Sequence, residues 1–363
     1  MPKFITLTPK RLAKRKIDIA FLFFFTGSLA AVFAVQLSGL SIGRWGVDEG
    51  GYLLAIARGG AGAQSLADHV VALLTPYFGV RPLYNALPTV GIVYVIARIA
   101  YQADLREKLI IFFLSFPLVF QLKFVSKEAV IALFVIALFV LFTFVRSEKV
   151  RFFIGMGGLA VMAATFRQYY LISMAFGFCI FFIRRKDFLF FALVSGLIFA
   201  SLIEAIRVPL LTSRYFVYYG VSVFSVSKTP LLFTEKGAID FVGNYFSSLF
   251  FYLFPIVLNF RIQEIYLQIY MVFIFFSIKE ALTYGNRTLI ALFCGMVLTL
   301  PVFVPDLGTL SRHLSALTPL LFMSFYFARQ DTRRAKIITH HDRRSSTKMD
   351  AYSSLASVSF PKG

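Results

Sequence analysis

The chain has 363 residues, 58% of them hydrophobic, with 45 phenylalanines and a formal net charge of +19. Its mean hydropathy is +0.77, and soluble domains average nearer 45–50% apolar residues, so the composition argues for a polytopic membrane protein. The two cysteines, Cys179 and Cys294, both fall inside apolar runs, so a disulfide framework or a cysteine metal cage is not indicated. The positive charge would suit nucleic acid on a soluble chain, but no nucleic-acid motif is present. The basic residues gather instead between apolar runs, in "PKRLAKRK" (9–16), "RSEKVR" (146–151), "RRKD" (184–187) and "ARQDTRRAK" (328–336), as expected of cytoplasmic loops.

In chain order, the first apolar run, 17–37, lacks a convincing small-residue cleavage site and reads as a retained span. After it comes "RWGVDEGGYLLAIARGG" (44–60), in a long outer loop. Asp48 and Glu49 are adjacent carboxylates followed by two glycines. They suit acceptance of a proton from an attacking hydroxyl, or simply a solvated turn. Spans follow near 84–102, 108–124 and 129–145. Lys127 and Glu128 stand at the head of the last of these. Ser126 can cap that helix and Glu128 suits its dipole, whereas Lys127 opposes both the dipole and the positive-inside bias.

Two further spans, 152–167 and 169–183, meet at "ATFRQYYLI" (164–172). Arg167 there can snorkel in an aromatic belt with Tyr170, or grip a phosphate through two parallel hydrogen bonds. A span at 188–206 leads to a long outer loop, 207–243, that carries Arg214. The stretch "NYFSSLFFYLFPIVLNF" (244–260) is short, aromatic and broken at Pro255. Counting it as a span would give eleven crossings and put the basic tail outside, so it is expected to be a re-entrant or interfacial outer helix.

Spans at 265–279, 288–304 and 313–328 complete the chain. Glu264 leads the first. The last two are joined by "VPDLGTLSRHL", with Asp306, Arg312 and His313. Basic residues at a helix N-terminus oppose its dipole, and an anionic ligand would remove that conflict. The bland alternative is that Asp306 pairs with Arg312 and holds the turn. The expected architecture is an all-α bundle of about ten transmembrane helices, with both termini cytoplasmic. Residues 1–328 would form the catalytic domain, and 329–363 a basic tail able to touch anionic lipid. No histidine pair has metal-ligand spacing, and the sequence shows no P-loop, nucleophile elbow, dinucleotide fingerprint or channel filter.

In order, these stretches resemble a family. An acidic first outer loop precedes a Lys-acid pair at the start of a span. An Arg follows the next hydrophobic run, an "LFPIVLNF" segment precedes a helix led by an acid, and a Gly-containing turn places Arg at the head of the last span. The chain is similar over most of 17–328 to bacterial oligosaccharide repeat-unit polymerases of the O-antigen and exopolysaccharide type. More distantly, it is similar to membrane-embedded C-type glycosyltransferases, whose first outer loop carries an acidic motif like "DEGGY" (48–52). It has Lys127-Glu128 where many relatives have Lys-Asp, and "RQY" where some have Arg-Pro, which leaves subfamily and sugar open.

The resemblance implies polymerisation of undecaprenyl-diphosphate-linked repeat units at the outer face of the bacterial inner membrane. Asp48 or Glu49 would be the base. Lys127, Glu128, Arg167, Tyr170, Arg214, Glu264, Asp306, Arg312 and His313 would bind the lipid diphosphate and substrate. No resident cofactor is expected and transfer would be metal-independent, although adjacent acids can also hold Mg²⁺ or Mn²⁺. Expected partners are the lipid-linked oligosaccharide, membrane lipids, and chain-length and export proteins of a polysaccharide pathway; nucleic acid is not among them. Two alternatives stay open: a C-type transferase moving a single sugar from a lipid-phosphate donor, and a flippase for lipid-linked glycans. Against the flippase, the charges concentrate on one side rather than along a path through the membrane.

Overall fold

The computed structural model describes residues 81–122, 127–165, 169–183, 186–204, 208, 229–230, 232, 237–258, 260–283, 287–304 and 307–330. The first apolar run, the first outer loop with Asp48 and Glu49, Arg167, Arg214, Asp306 and the basic tail lie outside them. The described residues are helical, with no strand among them. We number the helices α1 Arg81–Gln102, α2 Leu105–Gln121, α3 Lys127–Phe144, α4 Glu148–Thr165, α5 Tyr170–Phe182, α6 Lys186–Leu202, α7 Ala238–Leu253, α8 Ile262–Thr283, α9 Arg287–Phe303 and α10, 307–330. One of them, over Glu264–Thr283, is long and apolar enough by itself to cross a membrane; the apolar parts of α3, α5, α6 and α9 are shorter.

The helices match the apolar runs, most of them starting earlier than expected, while α5 stays within its run. α4 begins at Glu148 and α8 continues to Thr283, because helices carry on into polar turns wherever the terminal amides find acceptors. Glu107 shows how. Its Oε2 takes the Asp104 N–H at 2.9 Å, closing the first turn of α2. The stretch read as 244–260 shifts toward the N-terminus. Asp240 Oδ2 accepts the Gly237 N–H at 3.3 Å to start α7, and the helix stops at Phe254 before the short 3₁₀ turn Pro255–Val257, where Pro255 has no N–H to continue it.

At the centre lies α10, buried without interruption from His313 to Ala328. A helix this apolar is enclosed by other helices or lies in lipid; here its neighbours enclose it, along with the hydroxyls of Ser315, Thr318 and Ser324. Its far end is clamped. Arg329 donates to Gln102 O at 2.7 Å, to Asp104 Oδ2 at 2.5 Å and to Glu107 Oε2 at 2.6 Å. Burial works against that charge, but the hydrogen bonds that Arg329 donates to Asp104 and Glu107 outweigh it and hold Arg329 above its already high value. Phe327 packs on Phe139 and Phe142, with the Arg151 guanidinium 4.5 Å over its ring. At the same end Glu148 Oε1 caps α9, accepting from the Arg287 and Thr288 amides at 2.6 and 3.2 Å.

α5 and α9 make the closest helix pair. Ser173 and Gly177 on α5 face Gly295 and Thr299 on α9, and a Cβ on Gly295 would stand 2.6 Å from the Ser173 carbonyl oxygen. With no side chain between them the backbones touch, as small-residue seams permit. The Ser173 hydroxyl then donates to Thr299 Oγ1 at 2.9 Å, which fixes the register. α7 sits on the last two turns of α9. The Tyr245 hydroxyl donates to Leu298 O at 2.8 Å, the Tyr252 hydroxyl donates to Val304 O, and Phe241 packs with Val302.

Candidate functional site

The end of the bundle opposite the Arg329 clamp gathers the starts of α3, α5, α8 and α10 and the ends of α2, α4, α7 and α9. It therefore receives every candidate side chain that the structure describes. Four helices close around one small cavity there: Ile131 from α3, Tyr169 and Tyr170 at the head of α5, Met296 and Leu300 from α9, and His313 and Leu317 from α10. It has room for roughly one water molecule. Two tyrosines and a histidine form one side of it and Ile131, Met296, Leu300 and Leu317 the other, and the surface they turn toward the space is almost wholly apolar.

Each wall has a local cause. Tyr170 is 1% exposed and Tyr169 is half-buried, its ring stacked on Phe303 with centroids 5.0 Å apart and 4.8 Å from the Tyr170 ring. One turn below, the Ser173–Thr299 bond ties the tyrosine pair to the Met296–Leu300 floor. His313 is 4% exposed, and Arg312 beside it is half-buried, with its Nη2 donating to Thr309 Oγ1 at 3.2 Å. Thr318, a turn and a half further on, meets the Tyr270 hydroxyl, which also donates to Leu114 O at 3.1 Å. That contact ties α8 and α2 to the same stretch of α10.

Glu128 is 1% exposed in the first turn of α3, and its Oε1 has no hydrogen-bond partner among the described residues. It stands one turn before Ile131, so it shares the helix face that reaches the cavity. An unpartnered buried carboxylate oxygen is costly, which sets this position apart from an ordinary helix cap. Glu264 is buried in the first turn of α8 at the same end, and neither it nor Glu128 lines the cavity. Lys127 is described for its backbone alone, as the first residue of α3.

Sequence reasoning named Tyr170 and His313 but missed their neighbours Tyr169 and Phe303. The tyrosine doublet was a usable signal. The Phe303 partner was not, because it depends on how α5 crosses α9. Both cysteines are free. Among the described residues no group of three or more His, Cys, Asp or Glu side chains comes together. Compared with protein-family models, curated proteins and solved structures, the chain gives no match.

Proposed function

We propose that this chain is a membrane-embedded glycosyltransferase that polymerises undecaprenyl-diphosphate-linked oligosaccharide repeat units at the outer face of the bacterial inner membrane. One observation carries the reading. Three stretches far apart in sequence, around Glu128, Tyr170 and Arg312–His313, meet at one end of the bundle around one cavity. Arg167 is three residues from Tyr170 along the chain.

A hydrocarbon surround is supported by the outer surface of the helices. Phe144, Phe190, Phe191, Val161 and Leu171 are all more than half exposed, and a surface this apolar suits lipid better than water. In this reading the ten crossings are the 17–37 run and the described helices other than α7, which is taken as the outer interfacial helix. The Arg329 clamp then lies on the cytoplasmic side, beside the basic tail.

In the proposed reaction an acceptor hydroxyl oxygen bonds to the anomeric carbon of the donor sugar, and the bond from that carbon to the diphosphate oxygen breaks. The acceptor proton passes to Asp48 or Glu49. Arg167 and Arg312, with Lys127 and Arg214, neutralise the charge that builds on the departing lipid diphosphate; fixed cations of this kind supply much of the stabilisation in such transfers. Tyr170 and His313 orient the sugar, and Glu128, Glu264 and Asp306 hold the cations in place. Substituting Arg167→Ala or Arg312→Ala in cells is expected to abolish polymer while the protein still reaches the membrane. Polymer at the unsubstituted level from both variants would remove the phosphate grip and the reading with it.

A further inference from the structure

α7 is inside out by the standard of a helix in water. Its amide and hydroxyl side chains are Asn244, Tyr245, Ser247, Ser248 and Tyr252, and every one of them is buried. Ile239, Phe246, Phe250 and the C-cap Phe254 face outward. Their spacing, seven residues and then four and four, puts them on one stripe. A surface helix of a water-soluble protein has the opposite order, apolar side chains in and polar ones out. Hydrocarbon imposes the order seen here, because an amide or hydroxyl turned toward lipid finds no partner.

The contacts of α7 also give its depth. Leu253 O, at the end of the helix, accepts from Gln268 Nε2 at 3.2 Å. Gln268 stands one turn inside Glu264–Thr283, the part of α8 long and apolar enough to cross a membrane. The Tyr245 hydroxyl reaches Leu298 O, more than a turn before α9 ends at Phe303. α7 therefore lies alongside the apolar parts of two neighbours, not over their ends. The charges agree, since the chain carries none from Phe241 to Phe260, between Asp240 and Arg261. Leu197 of α6 packs with Phe241, Tyr245 and Val302, and α6 turns Ile198 and Leu202 outward. The apolar outer surface thus runs on from α6 to α7.

We infer that α7 is sunk in the outer half of the membrane, below the headgroups rather than among them, with Phe246, Phe250 and Phe254 against lipid acyl chains and its polar side against the bundle. The inference rests on the proposed function for the membrane and its orientation, but not for any transfer reaction. It makes lipid a support of the candidate site. Tyr245 and Tyr252 hold the last turns of α9, and Phe303 at the end of α9 stacks on Tyr169. A bilayer that fixes the depth of α7 thereby fixes one wall of the site.

The test uses the full chain in phosphatidylcholine vesicles, with Trp45, its one tryptophan, replaced by Phe. A single tryptophan is then introduced by Phe250→Trp, on the α7 stripe, or by Phe275→Trp, half-exposed in the middle of α8. Both changes keep an aromatic ring on the outer surface. Lipid with brominated acyl chains and aqueous iodide serve as quenchers. We expect the brominated lipid to quench the emission of both variants and iodide to quench neither. Iodide quenching of Phe250→Trp alone would put α7 at the water boundary and overturn the inference. Quenching of Phe250→Trp by neither reagent would mean that protein covers the stripe, which overturns it as well. Iodide quenching of Phe275→Trp would remove the hydrocarbon surround altogether, and the proposed function with it. If both variants behave as expected but the chain makes no polymer from lipid-linked substrate, the depth of α7 stands and the glycosyl-transfer reading falls.

Discussion

Glu128 is the residue at which stability and activity are expected to part. One oxygen of the Glu128 carboxylate, at 1% exposure, has no hydrogen-bond partner among the described residues, and burying such an atom without a partner costs on the order of 1–3 kcal/mol. Replacing it with Gln removes the charge and keeps the shape. Glu128→Gln is expected to melt at the same temperature as the unsubstituted protein or higher, while polymer formation falls at least tenfold. Thermal unfolding in detergent beside a polymer assay checks both halves, and lower stability with full activity would make Glu128 a structural group. The sequence showed that this acid stands at the head of a helix with Lys127 in front of it. Its isolation was not legible, because that depends on what α3 meets in space. His313 reads the same way. Its place at the start of a span was visible in "SRHL", but its seat opposite Tyr169 and Tyr170 depends on α5 and α10 coming together across 140 residues of chain.

At the scale of elements, the touching backbones of α5 and α9 set the distance between the tyrosine pair and the cavity floor. A methyl group at Gly295 would meet the Ser173 carbonyl oxygen at 2.6 Å and the Gly177 nitrogen at 2.9 Å. Both are backbone atoms that cannot rotate away, so the helices must part. Gly295→Ala is expected to cost about 1–3 kcal/mol, the usual range for overpacking, and to lower polymer yield by displacing Tyr169 and Tyr170. Gly157, around which there is open space, is the control: Gly157→Ala is expected to leave the melting temperature unchanged or raise it, since Ala favours a helix over Gly by up to about 1 kcal/mol. Equal losses from the two substitutions would mean that the seam has no special role.

Helix positions themselves were largely legible, because long apolar runs between polar turns leave little choice of secondary structure. What remained hidden was where each helix ends and which helices touch. Ends are decided by capping partners such as Glu148 and Asp240. Contacts are decided by seams such as Ser173–Gly177 against Gly295–Thr299, which look like ordinary small residues in the sequence.

At the scale of the whole molecule, the bundle has two unlike ends. One is tied by guanidinium–carboxylate bonds and a capped α9. The other brings Tyr169, Tyr170 and His313 together around a small cavity. Two unlike ends fit the proposed site at one face of a membrane, whereas a carrier would need charge along a path through it. The most direct test is to incubate the purified protein in nanodiscs with a radiolabelled undecaprenyl-diphosphate-linked oligosaccharide and resolve the products by length. A ladder extending by whole repeat units, with undecaprenyl diphosphate released at each step and no ladder from Arg312→Ala, is the expected result. Addition of one sugar and no more, or no transfer from a protein that is folded and binds the substrate, would contradict the account.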